Sequence, residues 1–144
     1  MEENCIDLEK GTVRLGKIIL SADTTSAALE ALSQDPAQGV VRHHDWFYGF
    51  QNVICAGGVA MRVYCTFRKG RLEQIDLHPV KEKKREGYFE AIELEEDYEL
   101  SCRFLESLIG CRQKKYDWGT IETYLTPDYH DSYHGGDVYM TYRR

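Results

Sequence analysis

Between Tyr48 and Leu77 the chain alternates apolar and polar residues, and two glycine-bearing breaks, Gly57-Gly58 and Lys69-Gly70, divide the run. Such alternation marks strands with one buried face, because successive side chains point to opposite sides of a pleated sheet. Gly57-Gly58 suits a two-residue hairpin turn, whose central positions can both need positive φ. That turn predicts Ile54 opposite Met61, Asn52 opposite Val63, Phe50 opposite Cys65 and Tyr48 opposite Phe67, a face that is apolar apart from Asn52. At the second break, a two-residue Lys69-Gly70 loop would set Gln74 and Asp76 on the face of Cys65 and Met61. A three-residue Arg68-Lys69-Gly70 loop pairs Ile75 with Val63 and Leu77 with Met61, and is the expected solution. It also sets Asp76 across from Arg62 and Gln74 across from Tyr64 on the wetter face. Val40 to Leu77 therefore reads as a three-stranded meander with Phe50, Ile54, Met61, Val63, Ile75 and Leu77 on one dry side.

The flanking segments complete an α+β pattern. Thr12 to Leu20 reads as a strand with a break at Gly16. Asp23-Thr24-Thr25-Ser26 offers side-chain oxygens to cap a short helix through Leu32, which Asp35-Pro36 ends. Lys81 to Gly87 is charged and without apolar residues, and predicts a solvated connection. From Leu94 to Ile109, Leu94, Tyr98, Cys102, Leu105 and Ile109 recur at helical spacing. Glu95, Glu96 and Asp97 then fall in a first turn where the helix dipole favours negative charge, and Gly110 supplies the stop. Tyr116 to Leu125 and Asp137 to Tyr142 read as two final strands. The order β-α-β-β-β-α-β-β predicts one domain over residues 1–144, mainly antiparallel sheet with two helices on one face. Its rhythm suggests two similar halves.

Composition narrows the function classes. A formal charge of −6 disfavours phosphate backbones and anionic lipid surfaces, and would steer a basic partner toward the protein. No apolar run approaches the roughly 18 residues of a membrane helix. The first residues lack the basic-then-apolar pattern of a signal peptide. The five cysteines form no CxxC pair and leave one over, so reduced thiols in a cytoplasm are expected, with Cys65 and Cys102 as small core residues.

No strong catalytic motif is present: there is no nucleophile elbow, phosphate loop or dinucleotide fingerprint. The nearest constellation lies between the last two strands, where Asp128, His130, Asp131, His134 and Asp137 combine imidazole with carboxylate. His130, His134 and Asp131 are its candidate metal ligands, although they lack ligand spacing on a helix. His43 and His44 are adjacent in an extended segment, so their side chains diverge and do not share an ion. The tyrosine excess, 10 in all, crowds the last third of the chain, and loop residues Tyr129 and Tyr133 are poorly explained by sheet preference. Tyrosine offers contact area with little rotamer entropy to lose, which suits an interface.

The segment Tyr116-Asp117-Trp118-Gly119-Thr120-Ile121-Glu122, then Asp128, then Val138-Tyr139-Met140-Thr141-Tyr142, resembles the C-terminal hairpin of small, largely uncharacterised bacterial proteins. Some of these are immunity partners of polymorphic toxins. Their pattern is a Trp-Gly strand, an Asp-containing turn and a closing strand ending in Tyr. Tyr129 stands here where an Arg often follows the Asp, and the resemblance spans roughly a fifth of the chain. It implies a non-enzymatic protein without a cofactor that neutralises a partner by occlusion. The expectation is thus a protein-binding domain, with Tyr129, Tyr133, Trp118 and Asp128 as contact residues. The alternative is a metal-dependent or small-ligand enzyme built on His130, His134 and Asp131. A homodimer through an open sheet edge is a third possibility.

Overall fold

The computed structural model describes residues 4–81, 90–127 and 133–143, the side chains of 90–93, 127, 133 and 134 excepted. A small antiparallel sheet opens the chain: β1 (Cys5–Asp7), β2 (Thr12–Leu15) and β3 (Ile18–Leu20) in that order. Helix α1 (Ser26–Ser33) follows, with Thr25 as N-cap accepting from the Ala28 N–H. Asp35 then caps a single 3-10 turn, Pro36–Gln38.

The main sheet takes β4 (Val40–His44), β5 (Phe47–Ala56), β6 (Val59–Arg68) and β7 (Arg71–Pro79). Helix α2 (Glu90–Ile109) intervenes before β8 (Gln113–Tyr116), β9 (Gly119–Pro127) and β10 (Tyr133–Tyr142). Its strand order is β4-β5-β6-β7-β10-β9-β8, and every pairing is antiparallel. Each half is a helix followed by a meander, and the last strands of the two halves, β7 and β10, meet in the middle. This gives the two-halves rhythm a topological form without any residue-level repeat.

Both helices and the small sheet cover one face of the main sheet. Leu29 of α1, Phe104 and Leu105 of α2, and Val13, Leu15 and Leu20 of the small sheet join one apolar cluster with the inward residues of the main strands. Those inward residues include Phe50, Ile54, Met61, Val63, Ile75 and Leu77, all buried on one side as the alternation predicts. Fold class, antiparallel sheet and helix placement therefore follow the sequence pattern. No described helix is long and apolar enough to cross a membrane.

Pairing within the meander differs from expectation. Ile54 does face Met61 across Gly57-Gly58, but Tyr48 pairs with Cys65 rather than Phe67, and the register shifts between Gly49 and Val53. The displaced residues are held from outside the hairpin. The Gln51 N–H donates to the Gly39 carbonyl, Asn52 Nδ2 donates to Asn4 Oδ1, and Asn4 Nδ2 donates to the Val53 carbonyl. At the second break the two-residue turn is the one formed: Arg68 pairs with Arg71, with Lys69 and Gly70 both at positive φ. A shift between Thr66 and Phe67 then restores the faces. As a result Ile75 faces Cys65, Leu77 faces Val63, Asp76 faces Tyr64, and Arg62 faces His78. A bulge absorbs the extra residue that the three-residue loop was expected to take up.

The N-terminal region is three short strands rather than one. It is tied to the far end of the chain by Trp118, whose Nε1 donates to the Leu8 carbonyl at 2.7 Å, and by Tyr142, whose hydroxyl donates to the Gly11 carbonyl at 2.6 Å. Gly11 has φ +68° and lies against the indole, where a β-carbon would overlap the ring.

Helix α2 begins before the predicted Leu94, so Asp97 is not in its first turn. Asp97, Ser101, Phe104 and Leu105 form its buried stripe. Ser101 Oγ donates to the Gly136 carbonyl at 2.6 Å. Gly135 and Gly136, at φ +102° and +97°, lie at a register shift in the β9–β10 pair, inside the segment expected to be loop. Gly110 ends the helix at φ +78°, as expected.

Candidate functional site

Residues that alternate with the core positions form the opposite face of the main sheet, which Asp97 of α2 reaches at the β7–β10 end. Two rows cross it. In one, Gly49, Tyr64, Asp76, Tyr139, Glu122 and Gln113 are successive partners from β5 to β8. In the neighbouring row Arg62 faces His78, whose Nδ1 lies 2.7 Å from Asp137 Oδ1.

At the β4–β6 end the face is aromatic. Phe47 stacks on Tyr64 with centroids 5.5 Å apart, and His43 tilts against both rings. His44 stacks on Trp46 at 5.0 Å, and Trp46 also meets Phe47. Gly49 makes this possible: a β-carbon there would lie 3.0 Å from His43 Nε2 and 3.1 Å from Tyr64 Cε1. Trp46 stays 53% exposed and Val41 41%. A single exposed hydrophobe is ordinary, but rings stacked side by side at one end of a sheet face are a contiguous apolar patch.

At the β7–β10 end the face is ionic. Asp137 accepts from the His78 imidazole and raises its pKa, outweighing the opposing effect of burial; Asp97 adds to the rise and Lys81 opposes it. Lys81, expected in a solvated loop, folds back so that its Nζ lies 2.7 Å from Asp97 Oδ1. Asp97 is a buried acid on α2, and this oxygen receives no directed hydrogen bond. The lysine contact is therefore charge against charge, off the hydrogen-bond direction. One imidazole nitrogen and two carboxylate oxygens, from His78, Asp97 and Asp137, lie within 4.8 Å of one another. Beside them Asp76 is pushed up to about 6, chiefly by burial and further by Asp137, against the lowering effects of the Gln74 hydrogen bond and His78.

Cys65 is fully buried beneath the sheet, where desolvation, with a contribution from Asp76, raises its pKa well above the usual range. A thiol so placed resists forming the reactive thiolate. Cys102 is buried as expected, while Cys55 is exposed on the other side of the sheet.

Of the contact residues expected from sequence, Trp118 is drawn inward by the Leu8 carbonyl and by stacking on Tyr116 at 5.4 Å. Tyr133 lies in β10, paired with Pro127. Asp128 and Tyr129 lie outside the described residues, as do His130 and Asp131 of the metal alternative; His134 pairs with Thr126 in β10. The structure gathers instead two groups that the sequence reading passed over: the rings around Trp46, and the ionic cluster around His78. Exposed aromatics in a hairpin turn were a signal for the first. No local signal existed for the second, since His78 and Asp137 are 59 positions apart.

Compared with models of known protein families, with curated proteins and with solved structures, the chain matches none.

Proposed function

We propose that this chain is a protein-binding domain that works by occlusion, with the aromatic end of the sheet face opposite the core as its contact surface. In its most specific form it is an immunity-type protein that covers a toxin. The observation that carries the reading is the aromatic patch of His43, His44, Trp46, Phe47 and Tyr64, its rings in contact, with His43, His44 and Trp46 exposed and Phe47 and Tyr64 half-buried beside them. Rings already held by their neighbours lose little freedom when a partner covers them, so more of the contact energy is kept as affinity. Tryptophan and tyrosine are also the residue types that dominate binding energy at interfaces. The net charge of −6 suits a basic partner, for which charge complementarity raises the association rate.

The test is to co-express the chain with the products of its neighbouring genes, measuring both complex formation and protection of growth. A stable complex is expected, with affinity reduced at least about tenfold by Trp46→Ala. Trp46 is more than half exposed, so the same variant should melt within a degree or two of the parent. Absence of any complex or protection, or a complex indifferent to Trp46→Ala, rules this reading out.

A further inference from the structure

We propose that His78, Asp97 and Asp137 form a binding site for a divalent cation of the zinc or manganese class, and that the Lys81 ammonium is the cation it displaces. The donors come from three separate elements: the end of β7, the buried stripe of α2, and β10 just after its two glycines. An imidazole with two carboxylates is a donor set that such ions accept. A tetrahedral ion with bonds of about 2.0–2.1 Å spaces its ligands roughly 3.3 Å apart. The donor atoms here lie within 4.8 Å of one another, so small side-chain rotations suffice. The His78–Asp137 pair, now 2.7 Å apart, has to open slightly.

Two observations separate this site from an ordinary surface ion-pair cluster. The Asp97 side chain is 7% exposed, and its Oδ1 lacks a directed hydrogen bond, so it contributes a buried and incompletely satisfied acceptor. The His78 side chain is 40% exposed, which gives an ion a route in from solvent. In the exchange the Lys81 ammonium moves away from Asp97 and the two charges of the ion face the two carboxylates, with the imidazole bound through a nitrogen that carries no proton.

The experiment uses the full chain without a histidine tag, freed of metal by chelator, with zinc and manganese chlorides as probes. Binding is measured by titration calorimetry and by the shift in melting temperature. One equivalent is expected to bind, with a rise of several degrees at saturating ion. His78→Ala and Asp137→Asn should each weaken binding by at least about tenfold. Lys81→Met should strengthen it about tenfold by removing the competing charge. Both His78 and Lys81 are partly exposed, so these variants remain informative if Asp97→Asn does not fold. Binding to Lys81→Met alone still supports the site, with the lysine as an effective block. Failure of both the parent and Lys81→Met to bind overturns the proposal. So does ion binding that survives His78→Ala, which would place the ion elsewhere, such as at His130 and His134. Equal affinity of the parent and Lys81→Met removes the lysine from the mechanism.

Discussion

Replacing Trp118 by alanine should lower the melting temperature by about 10 °C. The indole stacks on Tyr116, tilts against Tyr142 at 5.6 Å, lies over Gly11, and donates to the Leu8 carbonyl. Truncating a buried Trp costs about 3–5 kcal/mol. Trp118 is only partly buried, so about 3 kcal/mol is the appropriate end of that range. Unfolding entropy near 2.1 cal/mol/K per residue gives a chain of 144 residues about 0.3 kcal/mol/K, and hence the ten-degree shift. Trp118→Phe keeps most of the ring contact but loses the donor, and should cost about 1 kcal/mol, or roughly 3 °C. The assay is calorimetric melting together with amide hydrogen exchange. Protection of β1 to β3 should fall first, because Trp118 joins that sheet to β8 and β9. A Trp118→Ala protein that melts within 2 °C or so of the parent, with β1–β3 still protected, refutes the clamp. If that variant also lost partner binding, the indole would be a contact residue, as the sequence alone suggested.

Two further outcomes are expected. Asp76 has a folded-state pKa of about 6 against an ordinary 3.8, so the folded state holds more protons than the unfolded one between those values, and rising pH destabilises it through that window. Asp76→Asn should therefore gain on the order of 2 kcal/mol relative to the parent between pH 4 and pH 8, read as the difference in urea midpoints at the two pH values; a pH-independent difference removes the argument. Lys69 occupies the left-handed region at φ +52° in a two-residue turn before Gly70, so Lys69→Asn should stabilise by about 0.5–1 kcal/mol in the same assay.

The alternation from Tyr48 to Leu77 was sufficient to assign each side chain to a face, and Phe50, Met61 and Ile75 lie where it put them. It was not sufficient to assign partners. Sliding one strand by two residues leaves every side chain on its original face, so the pattern is blind to that shift. Both mispredicted pairings are of this kind, with Tyr48 opposite Cys65 and Ile75 opposite Cys65. What selected the actual register around Gln51 and Asn52 were bonds from Gly39 and Asn4, outside the hairpin. On α2, an earlier start than Leu94 turned Asp97 from a dipole-stabilised first-turn acid into a buried one.

Local chemistry in the sequence thus determined the class of fold, the dry side of the meander, a capped helix start within Asp23 to Ser26, the Gly57-Gly58 turn and the Gly110 stop. Each depends on side chains a few positions apart, where propensity and periodicity act. Tertiary structure alone decided the bulges, the meeting of β7 with β10, the inward turn of Trp118, and the convergence of His78, Lys81, Asp97 and Asp137. Those depend on groups distant along the chain, and their energies exist only once packing has brought the groups within reach of one another.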